Sequence, residues 1–281
     1  MIPVHSPRLS RRQWLAAVGG GAVAATASDG WLVEPNRLAV SSHTLAPNST
    51  GSSTTRIVQL TDLHLHDVGH HVRSVAAQTS ALRPDVIALT GDSVDRKDAL
   101  PLLDEFLTLL PADTPKIATL GNWEHWAGVD VAALRRLYDR YHCRLLVNES
   151  LGITLRGRSL TFVGLDDLVG GAPNLGAATY GLPRDEETRV LIQHCPAFRD
   201  APLLLEANAR SLFRMMLSGH THGGQVAPFG RPLWRPRGSG PYVSGWYRDD
   251  NRLPMYVSRG IGTSVVPIRM GSVPEIAVFD L

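Results

Sequence analysis

The sequence predicts an α/β domain whose first sheet is largely parallel, and three observations carry that prediction. Short apolar runs recur from residue 56 onward, each ending abruptly in polar residues. Helical patterns fill the gaps between the first of these runs. A chain of 281 residues with 43% hydrophobic content can also bury a substantial core. Strands alternating with helices make a parallel sheet with helical crossovers.

The elements follow in order. RIVQL precedes Thr61-Asp62, DVIALT precedes Gly91-Asp92, and KIATL precedes Gly121-Asn122. LTFVGL then precedes Asp166-Asp167, RVLIQ runs into His194-Cys195, and FRMML leads to Ser218-Gly219. Four to six apolar residues between turn signals fit buried strands. Helices are expected over Val72 to Leu82, Leu100 to Leu110 and Val131 to Tyr141. In such sheets ligands bind beyond the carboxyl ends of the strands, so the polar clusters would share one edge.

The N-terminus reads as an address. Ser10-Arg11-Arg12-Gln13-Trp14-Leu15 precedes an apolar Gly/Ala-rich run, and Ala25-Thr26-Ala27 offers small residues for cleavage. Residues 1–27 resemble a twin-arginine export signal, which implies a periplasmic, extracytoplasmic or membrane-associated protein. The apolar run falls short of the ~20 residues a span needs, although uncleaved it would tether the chain to a membrane. Residues 28–55, rich in Ser, Thr, Asn, Pro and Gly, read as a flexible linker, and the folded domain is expected over 56–281.

The formal charge is +2, but three arginines lie in the first 27 residues, beyond which 25 basic side chains face 26 acidic ones. A nucleic-acid binder would show a clear basic excess, so no nucleic-acid partner is expected. Cys143 and Cys195 allow one bridge or two free thiols, not a disulfide framework.

The polar clusters are TDLHLH (61–66), GDSVD (91–95), GNWEH (121–125), QHCP (193–196) and SGHTHGG (218–224). Imidazoles and carboxylates with one amide suit borderline divalent ions such as zinc, manganese or iron, with no thiolate required. In Asp62-x-His64 and His220-x-His222, alternate residues of an extended segment point to one side. Each cluster alone has an ordinary reading as a cap, a turn or a core histidine. Together, each directly after an apolar run, they point to a metal site.

The order D-x-H, GDxxD, GNxE, a single His and GHTHGGQ resembles the calcineurin-like metallophosphoesterases. The tail, with Ser258-Arg259-Gly260-Ile261-Gly262-Thr263, Pro267-Ile268-Arg269 and Pro274-Glu275-Ile276, is similar to the exported or membrane-associated bacterial branch. The resemblance implies two packed mixed β-sheets flanked by helices, a four-layer α-β-β-α sandwich. It also implies two divalent ions, one held by Asp62, His64 and His222, the other by Asn122, His194 and His220, with Asp92 bridging them. A hydroxide shared by such ions would attack a phosphoester in line. Asp95 and Glu124 would orient ligands through hydrogen bonds.

One residue departs from the pattern. The family has His directly after GN, and Trp123 stands there instead; an indole cannot act as a general acid. His125 would point into the same region were the segment extended, which makes it the candidate acid. Two other readings compete with the metallophosphoesterase: an amidohydrolase, disfavoured because the chain opens with D-x-H, and a catalytically weakened relative that binds phosphate or a partner. Asp166 and Asp167 suit either the edge of the site or the cap of a turn.

The substrate expected is a phosphoester. Between Gly224 and Arg248, four arginines (Arg231, Arg235, Arg237 and Arg248) alternate with Phe229, Trp234, Tyr242, Trp246 and Tyr247, without an acidic residue. That composition suggests a grip on an anionic, lipid-linked headgroup and peripheral membrane contact.

Overall fold

The computed structural model describes residues 10–12, 28–45, 54–183, 188–206, 211–249 and 251–281. The export signal and its cleavage residues, apart from Ser10 to Arg12, lie outside these. No helix among the described residues is long and apolar enough to cross a membrane.

The strands are β1 (Ala39–Thr44), β2 (Arg56–Leu60), β3 (Val86–Thr90), β4 (Lys116–Thr119), β5 (Cys143–Leu145) and β6 (Glu149–Leu155). They continue with β7 (Arg158–Gly164), β8 (Thr188–Ile192), β9 (Met215–Ser218), β10 (Gly245–Tyr247), β11 (Met255–Val257) and β12 (Glu275–Asp280). The α-helices are α1 (His70–Ala81), α2 (Leu100–Leu109), α3 (Asn122–Trp126), α4 (Val131–Asp139), α5 (Leu175–Thr179) and α6 (Pro202–Leu205). All six predicted strands form, and the three predicted helices form as α1, α2 and α4. The α4 helix starts where the Asp130 side chain accepts from the Ala132 and Ala133 amides, a cap contributing about 1 kcal/mol.

Two mixed sheets of six strands result, ordered β1-β12-β2-β3-β4-β5 and β10-β11-β9-β8-β7-β6. From β2 to β5 the first sheet is parallel, as expected. Strand periodicity then sorts the apolar residues into layers. Val58, Ile87 and Leu89 face Val75, Leu103, Phe106 and Leu134 of the helices. Their chain neighbours Ile57, Val86 and Ala88 instead meet Phe162, Val190 and Leu217 of the second sheet. The outer face of the second sheet packs Leu191 and Met216 against Leu175, Ala178 and Leu204. Buried Gln59 ties the sheets together, donating to Thr90 Oγ1 at 2.9 Å and to the Ser218 carbonyl at 3.0 Å.

The linker expectation fails for residues 39–44. They form β1, parallel to β12 over the register Ala39↔Glu275 to Thr44↔Asp280. Its inward residues are Ala39, Ser41 and His43, too weakly apolar to give a hydrophobic period. His43 packs against Tyr256 and Phe279 at ring separations of 4.6 and 5.4 Å. Residues 46–53 of the expected linker lie outside the described residues. Cys143 and Cys195 are buried free thiols, not a bridge.

Candidate metal centre

Every predicted ligand sits just past the carboxyl end of a strand, and all seven are buried. Asp62 and His64 follow β2, Asp92 follows β3, Asn122 opens α3 after β4, His194 follows β8, and His220 and His222 follow β9. Central strands of both sheets thus end at one edge and deliver these side chains to one place.

They gather into two groups: Asp62, His64 and His222, and Asp92, His194 and His220, with the ligand atoms of each group within 4.8 Å of one another. His222 Nε2 is 3.1 Å from His64 Nε2 and 3.3 Å from Asp62 Oδ1. His194 Nε2 is 3.0 Å from Asp92 Oδ2, which also lies 3.7 Å from His64 Nε2. The Asp92 carboxylate therefore stands between the groups. Asn122 Oδ1 is buried without a protein donor.

The ligand pairs do not converge as alternate residues of an extended segment. Asp62, His64, Asp92, His220 and His222 all have positive φ, between 42 and 72°. Left-handed backbone at non-glycine residues costs on the order of 1–3 kcal/mol each and persists only where surroundings over-determine it. Here the Asp62 and His64 amides donate to the Gly91 and Asp92 carbonyls, each at 3.1 Å. The His220 amide donates to the Asp62 carboxylate at 3.0 Å. The two glycines of GN and SGH make room for this. A Cβ on Gly121 would lie 2.2 Å from Asp92 Oδ1, and one on Gly219 would lie 2.3 Å from Asp62 Oδ2.

The electrostatics suit cations. Burial lowers His64 and His220 to about 4 and takes His222 well below the ordinary value. All three are therefore neutral imidazoles, the form that ligates metal. The His222 shift also reflects His64 and the guanidinium of Arg269, whose Nη2 is 3.2 Å from His222 Nδ1. His220 Nε2 lies 2.8 Å from the Arg237 carbonyl and His194 Nδ1 2.8 Å from the Thr90 carbonyl, contacts that fix each ring's orientation. Burial, reinforced by the charge of Asp92, raises Asp62 to about 6. Burial opposes ionising Asp92 too, but His194 outweighs it and holds that carboxyl well below the usual range. Two close carboxylates, the neutral imidazoles of His64, His220 and His222 and an unpartnered amide oxygen fit divalent cations. His194, which burial would lower but Asp92 raises well above its ordinary value, would give up its proton to an arriving cation.

Glu124 reaches into the turns that carry the ligands. Its carboxylate accepts from the amides of Gly121 at 2.8 Å, Asp92 at 3.1 Å, Ser93 at 2.6 Å and Val94 at 3.3 Å. It therefore pins the GD and GN turns together and fixes where Asp92 points. Asp95 pairs with the half-exposed His66 at 3.2 Å. It takes up no ligand in either group.

His125 does not take the place of the missing acid. The segment is not extended: Asn122–Trp126 is helical, so residues 123 and 125 project to nearly opposite sides. Trp123 faces the site, its ring 5.8 Å from His64 and nearly perpendicular to it, and its amide donates to Asp92 Oδ1 at 2.9 Å. His125 turns away to Asp166 Oδ1 at 2.7 Å. Asp166 and Asp167 also accept amides of the following turn, from Ala172, Val169 and Gly170, so their capping role holds.

Above the ligands lies a cavity of about 390 Å³, with Asp92, Asn122, His220 and His222 at its floor. Its walls include Trp123, Trp126, Leu233, Trp234, Val265 and Val266. Of these, Trp123 and Trp234 were singled out in the sequence, and Trp126, Leu233, Val265 and Val266 were not. An exposed apolar residue in a loop carries no periodicity to mark it. Tyr242 is buried and Trp246 and Tyr247 belong to β10, so they serve the core, and Arg248 stacks on Trp246 at 4.0 Å.

Residues 55–224 match the family model for calcineurin-like phosphoesterases. The chain is 31% identical to the uncharacterized metallophosphoesterase YkuE of Bacillus subtilis, over 98% of each protein. It is 28% identical to the phosphodiesterase YaeI of Escherichia coli, over 97% of this chain and 99% of that protein. Among solved structures, the NAD nucleotidase NadN of Haemophilus influenzae shares the fold with a TM-score of 0.50 at 13% identity. That match covers 74% of this chain and 45% of NadN.

Proposed function

Since the chain belongs to the calcineurin-like phosphoesterase family and is a metal-dependent phosphoester hydrolase, we propose that it works with two divalent ions drawn from manganese, iron and zinc. Asp62, His64 and His222 would hold one ion, Asn122, His194 and His220 the other, and Asp92 would be shared. The observation that carries this reading is the Asp92 carboxylate standing between two buried ligand groups. All seven positions hold side chains able to ligate, which favours turnover over a merely phosphate-binding relative.

When bound, such ions supply Lewis acidity: they acidify water at the site and take up charge from phosphoryl oxygens. The chain supplies the rest. Glu124 and the Trp123 amide orient Asp92. The His220 and His194 rings are aimed by the Arg237 and Thr90 carbonyls. The apolar walls exclude water and receive the ester's organic group. Those walls favour a phosphoester with an apolar, lipid-linked part, and the phosphodiesterase YaeI adds weight to a diester. The twin-arginine-like segment supports export. Metal analysis joined to a panel of aryl, alkyl and lipid phosphomonoesters and diesters tests the reading. Two ions per chain and metal-dependent hydrolysis are expected, and turnover that survives metal stripping would overturn it.

A further inference from the structure

The mouth of the metal centre carries a second, unexplained pattern. Large apolar side chains are exposed around it: Trp126, Phe229, Leu233, Trp234, Val265 and Val266. Five of these line the cavity, and Phe229 lies in the same loop as Leu233 and Trp234. Apolar residues scattered singly over a surface need no explanation, but a contiguous group at a site marks an interaction face.

Two of these residues are strained as well as exposed. Phe229 has φ 55° and Val265 φ 65°, at relative exposures of 103% and 85%. A positive φ is a true outlier for a bulky or β-branched residue. Glycine would suit both turns, yet each presents an apolar side chain to water. The two stand on separate loops, bridged by the Gln225 side chain, which donates to the Ser264 and Val266 carbonyls at 2.9 and 3.0 Å.

Charge and chain path point to one partner. Arg231, Arg235 and Arg237 are exposed among these residues, and no acidic side chain occurs from Gln225 to Tyr247. Apolar tips interleaved with arginines match the boundary between acyl chains and anionic headgroups. The chain also arrives at this place from its N-terminal apolar run. Gly30 O accepts from the Arg269 amide at 2.9 Å, just past the Val265–Val266 loop, and Trp31 and Leu32 beside it are exposed.

We propose that the mouth of the metal centre is a docking face for an anionic lipid surface, with Phe229 and Val265 as inserted tips and Arg231, Arg235 and Arg237 on the headgroups. The proposal rests on the phosphoesterase reading only in that the docked surface would present the ester to the cavity. A soluble peptide fits less well, because the apolar residues sit at loop tips interleaved with arginines rather than along a groove.

The test uses the full chain with vesicles of phosphatidylcholine, with and without phosphatidylglycerol. Hydrogen exchange at residues 225–237 and 263–267 should slow on the anionic vesicles and not on neutral ones. Phe229→Gly combined with Arg231→Ser should weaken partitioning about tenfold or more. Protection confined to the N-terminal region, with these two loops unchanged, would overturn the proposal. So would loop protection that rises with protein concentration in the absence of lipid, which would assign the face to a second copy. Hydrolysis of a soluble aryl diester is measured in parallel. Its absence would count against the proposed chemistry while leaving the docking result to stand on its own.

Discussion

Asp62, His64, Asp92, His220 and His222 hold left-handed backbone conformations at the floor of the site, and Phe229 and Val265 hold them at its rim. The floor residues are buried, and carboxylates, carbonyls and amides of neighbouring strand ends hold them in place. The rim residues are exposed: Gln225 ties the backbone on either side of Val265 through three hydrogen bonds, but the Phe229 and Val265 side chains themselves point to solvent. Strain at the floor is thus over-determined by the fold. At the rim the backbone is tied but the apolar side chains are left uncovered, as expected of a surface completed by something else.

The sharpest way to break this comparison is at Asp92. Asp92→Ala removes the carboxylate between the two groups, and phosphoester hydrolysis should fall to background with fewer ions retained per chain. Retained activity would mean that the groups work independently. Next comes Glu124, which joins the two turns through four amides. Glu124→Gln keeps the shape but puts an NH2 donor where one of the two accepting oxygens stood, against backbone amides that also donate, and metal affinity or turnover should drop about 10–100-fold. If kinetics were unchanged at equal metal loading, the floor would be rigid without that clamp. The rim should respond in the opposite sense. Phe229→Gly relieves roughly 1–2 kcal/mol of left-handed strain and removes no buried contact, so thermal melting should rise by about 2–4 °C. A lower melting temperature would show that the exposed ring is held by contacts of its own.

The floor was legible because each ligand follows an apolar run, and buried strands announce themselves by composition. The pairing of two sheets came from the family resemblance, not from periodicity; once it is given, Ile57 and Val58 face opposite layers because successive strand residues do. The first strand was not legible, because Ala39, Ser41 and His43 present too little apolar surface for a period. Nor was the turn of helix at Asn122–Trp126, since five residues are too few for periodicity. That short helix decided the fate of His125: an extended chain would have put it beside Trp123, and a helix puts it across from it. The Leu233 and Val266 walls were silent because their neighbours in sequence are prolines and loop residues.

His125 offers the smallest and most discriminating effect. Its ring pairs with Asp166, which raises the imidazole above its ordinary 6.5 against the opposing pull of burial. Asp166 is lowered in turn, since His125 and the Ala172 and Asp167 amides outweigh its burial. A raised histidine contributes stability fully present below about pH 6.5, lost as pH climbs through its folded value. A lowered aspartate contributes above about pH 3.8, lost as pH falls through its folded value. The pair therefore stabilises most at mildly acidic pH. His125→Ala should lower the melting temperature more at pH 6 than at pH 9. Turnover of aryl and alkyl esters should change alike and by less than about threefold, against the 10²–10⁴ that loss of a general acid would cost. Trp123→His is the complement, because position 123 does face the cavity. It should speed alkyl esters more than aryl ones, since only a poor leaving alkoxide needs a proton. An alkyl-selective loss in His125→Ala instead would mean that the helix at Asn122–Trp126 rearranges during catalysis and returns His125 to the site.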